Sequence, residues 1–295
     1  MTIAACFLSS EGVVLGADST VTLPAGKGAA RYFNHEQKVF EVGEGHSLGL
    51  AFWGSVPIAT SYRTVIAAFA DVIRDERPGS VERVAGRWGQ HAWSSLRSAH
   101  KKHLENYDSA QAKVSSGRLN DLTEEELSDA SLVAEFETGF CIGGHYGSDH
   151  APAAFEMRLE LRSSMPPTPK ALTPGRLSFW GVPNMFRRLL HGVDWRVLDA
   201  ILDAKRDDGT KLWVGTEDEL YDRAFRHTML VHPGLPIREA IDLVHFSIEA
   251  TIKALKFSHY AEPTCGGPIE VAVVTSDRQF RWVRHKSFES AISGG

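Results

Sequence analysis

The sequence contains few cysteines and no long uninterrupted run of apolar residues. Its three cysteines, Cys6, Cys141 and Cys265, lie far apart along the chain. This spacing excludes the close cysteine pairs that are typical of zinc sites and of small disulfide-rich domains. We therefore expect reduced thiols in a cytoplasmic protein. No pattern predicts a metal site or another cofactor, because His145, Asp149 and His150 lie in a loop of solvated composition.

Positive charge is not in excess either. The chain has 32 Lys and Arg against 37 Asp and Glu, for a formal net charge of -5. Nucleic-acid binders usually carry a basic face, so we expect no nucleic-acid partner. No stretch reaches the roughly 18 apolar residues of a membrane helix. Glu11 and Asp18 fall where a signal peptide would stay apolar, so we expect neither a membrane partner nor a targeting segment.

The 295 residues, of which 43% are hydrophobic, can build one large core. Strand-like runs are more apolar than simple alternation gives, which is typical of sheets that are covered on both faces. These runs occupy residues 2–9, 13–17, 38–42, 47–53, 137–143, 153–161, 176–181, 269–275 and 280–284.

Helical periodicity appears between these groups of strands. It covers residues 57–74, 81–107, 185–202 and 237–260, whereas the charged, Ser-rich stretch 108–129 has no clear period and predicts an exposed loop or lid. Strand runs and helix runs are segregated along the chain, which disfavours a regular alternating parallel sheet. The order predicts two stacked sheets between helical layers.

Thr2 is the first residue with a chemical role to consider. Removal of Met1 would expose its α-amino group, whose reference pKa near 8 leaves a good fraction as free base at neutral pH. Such an amine can take the proton of the hydroxyl on the same residue, so threonine and amine together form a nucleophile and its base. Many chains carry Thr at this position without any catalytic meaning, so the neighbouring residues must decide.

The neighbours resemble the β-type subunits of the proteasome and their bacterial relatives of the HslV and Anbu type, which are N-terminal-nucleophile (Ntn) threonine hydrolases. The motifs are Thr2 on a strand, Gly16-Ala17-Asp18 ending the second strand, Lys38 opening the third, Gly54 after the fourth, and Cys265-Gly266-Gly267 before a strand near the end. The resemblance covers residues 2 to about 75 and returns at 137–160 and 237–275. It implies an α+β fold, a four-layer αββα sandwich of two mainly antiparallel sheets. It also implies a single domain, 1–295, with insertions at about 105–132 and 190–236.

Carried over position by position, the resemblance assigns the nucleophile to Thr2, the buried carboxylate to Asp18, the neighbouring ammonium to Lys38 and the oxyanion donor to Gly54. The physical logic is consistent with these roles. A positive charge near a hydroxyl lowers its pKa, a buried ammonium needs a partner, and a backbone N–H aimed at a developing oxyanion is a large catalytic contribution. The alternatives are a turn aspartate, a solvated edge lysine and an ordinary turn glycine.

The resemblance also assigns a specificity pocket and an amine-orienting pair. Its pocket positions are Val21, Thr22, Phe52 and Val56, with Thr60 as a further candidate; their apolar character favours an apolar residue before the cleaved bond. The amine-orienting positions carry Glu262 and Cys265, where the family has aspartate and serine. Another family serine is missing from residues 179–183, and cysteine is a weaker hydrogen-bond partner than serine.

The sequence therefore predicts a threonine endopeptidase that hydrolyses peptide bonds of peptides or unfolded proteins, needs no cofactor, and self-assembles as a ring or helical homo-oligomer. A partner ATPase is left open. Two alternatives remain: a non-catalytic scaffold subunit with the same fold, and an Ntn amidase that acts on small amides. Fold alone does not decide between these functions.

Overall fold

The computed structural model describes most of the chain. The described residues are 2–24, 30–43, 47–54, 61–146, 150–182, 184–224, 231–259, 262 and 264–286. Within these ranges the strands are β1 (Ile3–Leu8), β2 (Gly12–Ala17), β3 (Val21–Pro24), β4 (Ala30–Phe33), β5 (Val39–Glu41), β6 (Leu48–Gly54), β7 (Glu137–Gly144), β8 (Ala153–Glu160), β9 (Lys170–Ala171), β10 (Leu177–Gly181), β11 (Glu270–Thr275) and β12 (Arg278–Arg284). The α-helices are α1 (Tyr62–Glu76), α2 (Val81–Ala99), α3 (Lys101–Ser115), α4 (Glu124–Glu135), α5 (Asn184–His191), α6 (Trp195–Asp203), α7 (Glu217–Ala224) and α8 (Ile237–Phe257).

Two five-stranded sheets form the centre of the fold. The first has the strand order β10–β1–β2–β11–β12 and the second β5–β6–β7–β8–β9, and the paired strands run antiparallel. Every residue of β1 and β2 is buried. Strands that are covered on both faces have no side that must be polar, which explains their continuous apolar sequence.

Apolar side chains fill three layers around these sheets. Between the sheets lie Leu15 and Ala51, together with the free thiols of Cys6 and Cys141. Helix α8 covers the outer face of the first sheet, and α1 and α2 cover that of the second, where the Trp88 ring meets its aromatic neighbours edge to face. The predicted αββα sandwich is therefore confirmed.

The stretch 108–129 is largely helical, so the prediction of an exposed loop there is wrong. Helix α3 continues to Ser115, and Thr123 begins α4 with a capping box: its hydroxyl accepts from the Glu126 N–H, and the Glu126 carboxylate accepts from the Thr123 N–H. Lys113 Nζ lies 2.7 Å from Glu126 Oε1 and ties the two helices together. Helices that are held together by polar contacts need no periodic row of apolar residues, so their sequence lacks the pattern that predicts a helix.

Other elements also differ from the predictions. The predicted helix 81–107 is divided between α2, which ends at Ala99, and α3, which begins at Lys101. The predicted helix 185–202 is two helices, because Gly192 takes a positive φ of 70° and Asp194 caps α6 by accepting from the Val197 N–H. The short ribbon β3–β4 was not predicted. Helix α1 begins at Tyr62, and the first residues of the predicted helix 57–74 lie outside the described ranges. The single-domain assignment and the insertions at 105–132 and 190–236 stay predictions.

In the part of the chain that the structure describes, every helix is too short or too polar to cross a bilayer.

Candidate active site

The start of β1 holds Thr2 in the first sheet. Ile3 pairs with Gly181 of β10, and Ala4 pairs with Ala17 at the end of β2. Thr2 is only 4% exposed. Chain ends usually fray, so this residue is held more firmly than its place in the sequence alone would suggest.

Asp18 lies next to Thr2 because β2 pairs with β1. The Asp18 N–H donates to the Ile3 carbonyl at 3.1 Å. The carboxylate accepts three backbone N–H groups: Oδ1 from Ile3 at 3.2 Å, and Oδ2 from Thr20 at 3.2 Å and Gly266 at 3.0 Å. Asp18 is fully buried, so it is a fixed anion at the chain start rather than a solvated turn residue.

Lys38 supplies the matching cation. Its Nζ lies 2.8 Å from Asp18 Oδ1 and also donates to the Thr20 carbonyl. Lys38 is 1% exposed, which excludes the alternative of a solvated edge lysine. One carboxylate oxygen thus accepts both the lysine ammonium and the N–H of the residue that follows Thr2.

Glu270 is a buried carboxylate that the sequence analysis missed. Its Oε2 accepts the backbone N–H of Lys38 at 3.2 Å, and its Oε1 lies 3.1 Å from His285 Nδ1 and 3.5 Å from Lys286 Nζ. Burial lowers the pKa of Lys286. The feature of the sequence that could have indicated this buried carboxylate is a single glutamate in the apolar run IEVAVV at 269–274.

A cavity of about 340 Å³ opens beside Thr2; we call it the Thr2 cavity. Its lining residues include Thr2, Gly54, Glu137, Arg158, Arg187 and Trp195. Gly54 ends β6 with a φ of 120°, and a Cβ there would lie 2.7 Å from the Glu137 carbonyl. Glycine therefore lets the backbone take a conformation and a close approach that a side chain would prevent.

Gly181 also lines the Thr2 cavity, and the sequence analysis noted its region only for lacking a serine. Its φ is 87°, and a Cβ would lie 1.5 Å from the Thr2 carbonyl oxygen. The absence of a side chain here is what allows β10 to pack against Thr2.

The three predicted pocket residues that the structure describes do not line the Thr2 cavity. Phe52 is 3% exposed and stacks on Tyr62 at 3.9 Å between centroids, inside the core under α1. Val21 and Thr22 are half-buried on the β3–β4 ribbon. Val56 lies outside the described residues. Their role as a specificity pocket stays a prediction, without support from this cavity.

The two predicted amine-orienting residues have different surroundings. Glu262 is exposed, and its carboxylate accepts from the Tyr32 hydroxyl at 3.1 Å. Cys265 is buried near the Asp18–Lys38 pair. Burial, followed by the negative charge of Asp18, raises the pKa of the Cys265 thiol to about 12. The thiol is therefore neutral at physiological pH.

Among the described residues, no group of three or more His, Cys, Asp or Glu side chains is arranged to hold a metal ion. His145 and His150 have ring centroids 5.2 Å apart. Asp149, the third residue considered in that loop, lies outside the described ranges.

No family model and no curated protein matches this sequence. Solved structures do match it. A Gly-1 mutant of Anbu from Hyphomicrobium sp. strain MC1 is similar over 97% of this chain and 86% of that chain, with a TM-score of 0.51 at 14% sequence identity. Anbu from Yersinia bercovieri, described as an ancestral β-subunit, is similar over 98% of this chain and 91% of that chain, with a TM-score of 0.49 at 11% identity. From the first of these similarities, the chain has the fold of Anbu, which confirms the proteasome-like fold that the sequence resemblance implied.

Proposed function

We propose that the chain is a threonine-type hydrolase of the proteasome type, which cleaves peptide bonds through Thr2 after removal of Met1. The observation that supports this most strongly is the buried Asp18–Lys38 pair, because Asp18 Oδ1 also accepts the N–H next to Thr2. The position of Thr2 and Gly54 on one cavity is further support.

Cleavage after Met1 frees the α-amine of Thr2, which then acts as the base for the hydroxyl of the same residue. The new α-amine of Thr2 takes the proton of Thr2 Oγ1, and Oγ1 attacks the carbonyl carbon of the peptide bond. The Lys38 ammonium favours the negatively charged oxygen over the neutral hydroxyl. Asp18 holds that ammonium in place, since it accepts from Lys38 Nζ at 2.8 Å.

The tetrahedral intermediate places a negative charge on the former carbonyl oxygen. In our proposal the Gly54 N–H donates to this oxygen, a contribution of several kcal/mol in comparable hydrolases. The C–N bond then breaks, and the leaving amine takes the proton from the Thr2 α-ammonium. Water attacks the resulting ester with the α-amine as base, which releases the acid and restores Thr2.

A scaffold subunit without activity is the second candidate. It is favoured by the two departures from the family pattern, since the neutral Cys265 thiol is a weak hydrogen-bond partner and the Glu262 carboxylate is engaged by Tyr32 at the surface. Both candidates share one further proposal, a homo-oligomeric assembly. In the active form, unfolded peptides would be the substrates.

Two measurements distinguish the candidates: cleavage of fluorogenic peptides and the intact mass of the protein. Both are made on the wild type, Thr2→Ala, Thr2→Ser and the control Thr210→Ala. Thr210 lies in an exposed turn, where its hydroxyl contacts only Asp208 among the described residues. We expect an active wild type without Met1, a loss of about a thousandfold or more in Thr2→Ala, and partial activity in Thr2→Ser. Thr2→Ala as active as wild type would refute the mechanism. An inactive wild type that retains Met1 would support the scaffold.

A further inference from the structure

Glu270 is a buried carboxylate that has no role in the mechanism proposed above. It is the first residue of β11 and pairs with Ala17 of β2, which places it one position from Asp18. It is fully buried. A charge in such a place costs free energy unless specific contacts offset the loss of water. The contacts of its two carboxylate oxygens therefore indicate what this residue does.

The first oxygen, Oε2, binds the main chain of Lys38. The Lys38 N–H donates to Glu270 Oε2 at 3.2 Å. The carbonyl of Lys38 accepts the N–H of Phe52 at 3.1 Å. Glu270 belongs to the first sheet and Phe52 to the second. The backbone of Lys38 is therefore bound from both sheets, just before β5 begins at Val39.

Asp18 holds the other end of the same side chain, since it accepts from Lys38 Nζ at 2.8 Å. A lysine ammonium is carried on a flexible four-carbon stem. Contacts at both ends of that stem restrict the position of the ammonium more than a contact at the tip alone. A displacement of a catalytic group by about 1 Å can cost about a hundredfold in rate.

The second oxygen of Glu270, Oε1, faces the two residues that follow β12. Strands β11 and β12 run antiparallel with Val271 opposite Arg284, so the chain returns to Glu270 directly after β12. His285 Nδ1 lies 3.1 Å from Oε1, and Lys286 Nζ lies 3.5 Å from it. The Lys286 side chain is only 9% exposed. A cation at this distance offsets part of the cost of burying the carboxylate.

From this geometry we propose that Glu270 is a positioning residue for Lys38, and that Lys286 anchors Glu270 for this task. The inference rests on the proposed function, in which the Lys38 ammonium favours the ionised oxygen of Thr2. It gives the site a second buried carboxylate with a separate role. Asp18 orients the ammonium, and Glu270 orients the main chain from which the ammonium extends.

Peptide cleavage by Glu270→Leu, Glu270→Gln and the control Glu76→Leu tests this role. Glutamine keeps an oxygen that can accept the Lys38 N–H, whereas leucine has none. Glu76 is the control because it lies exposed on α1 and pairs with Arg87. We expect Glu270→Leu to lower kcat about tenfold or more while KM stays within about twofold. Glu270→Gln should keep at least about half of the wild-type kcat, and the control should equal the wild type.

Each rate is divided by the folded fraction of the protein, measured by tryptophan fluorescence, so that a loss of stability alone does not lower it. A folded Glu270→Leu variant with the kcat of the wild type overturns the inference. Glu270→Gln as slow as Glu270→Leu also overturns it, because the accepting oxygen would then not be what matters.

Hydrogen exchange of the Lys38 amide tests the same contact without catalysis and without the leucine variant. A buried, hydrogen-bonded amide exchanges slowly. We expect slow exchange in the wild type and exchange about tenfold or more faster in Lys286→Met, measured relative to the amides of α2. The control Lys253→Met, which removes an exposed cation paired with Glu249 on α8, should leave the exchange unchanged.

A Lys38 amide that exchanges in the wild type as fast as an exposed amide overturns the inference. Unchanged exchange in Lys286→Met overturns the role of Lys286 as the anchor. If the wild type cleaves no peptide, the proposed function fails, and the exchange of the Lys38 amide alone decides whether Glu270 holds this residue.

Discussion

The contacts of the Asp18–Lys38 pair predict which of two substitutions lowers the free energy of unfolding more. Lys38→Met removes the cation but leaves Asp18 with three backbone N–H donors, from Ile3, Thr20 and Gly266. Asp18→Ala leaves those donors unpaired and strands the Lys38 ammonium against one carbonyl. Breaking a buried pair costs about 3–5 kcal/mol. We therefore expect a loss of about 3 kcal/mol in the free energy of unfolding for Lys38→Met and about 5 kcal/mol for Asp18→Ala, the two ends of that range.

Urea unfolding followed by the fluorescence of the seven tryptophans measures both losses. The combined Lys38→Met and Asp18→Ala variant should lose less than the sum of the two single changes, because it leaves neither charge buried without its partner. Arg74→Gln, which removes an exposed charge, should change stability by about 0.5 kcal/mol or less. If Lys38→Met is as harmless as Arg74→Gln, or costs more than Asp18→Ala, our account of the pair is refuted.

Three further predictions concern other residues of the site. Gly181→Ala should lower kcat at least about tenfold, because the added Cβ would collide with the Thr2 carbonyl. The control Gly209→Ala, at a φ of 82° with open space around it, should leave kcat unchanged. Cys265 in the native protein should be alkylated about a thousandfold more slowly at pH 7.5 than an ordinary thiol, because its raised pKa leaves little thiolate. Peptide mass spectrometry measures the rate, and alkylation at an ordinary rate would contradict this prediction. Glu270→Gln should cost about 1–3 kcal/mol in urea unfolding, because it removes a buried charge that pairs with Lys286 and contacts His285. An unchanged midpoint would contradict this.

The sequence predicts the layers of this fold well because their signals are local. Continuous apolar runs predict β1, β2, β6 and β11, and each of these strands is present with its residues mostly or entirely buried. Helix α8 is found within residues 237–260, where the apolar helical period predicts a helix. The stretch 108–129 was missed because its helices are stabilised by capping and ion pairs, which leave no apolar period.

The site is harder to predict because its contacts are distant along the chain. The proximity of Asp18 and Lys38 was expected only from the resemblance, and no local pattern gives the 2.8 Å contact between them. Glu270 lies 232 positions from the backbone N–H that it binds, so it was read as part of an ordinary strand. Phe52 was assigned to a pocket from its place in the family pattern, yet the ring stacks in the core on Tyr62.

The central claim, that hydroxyl and α-amine of Thr2 act together, is tested most directly by a peptide epoxyketone. Such a probe forms bonds to both groups of one N-terminal threonine, and mass spectrometry of the digested protein locates them. We expect a single adduct on a peptide that begins at Thr2, and none in Thr2→Ala or in protein that keeps Met1. An adduct confined to another residue, or equal labelling of Thr2→Ala, would contradict the account.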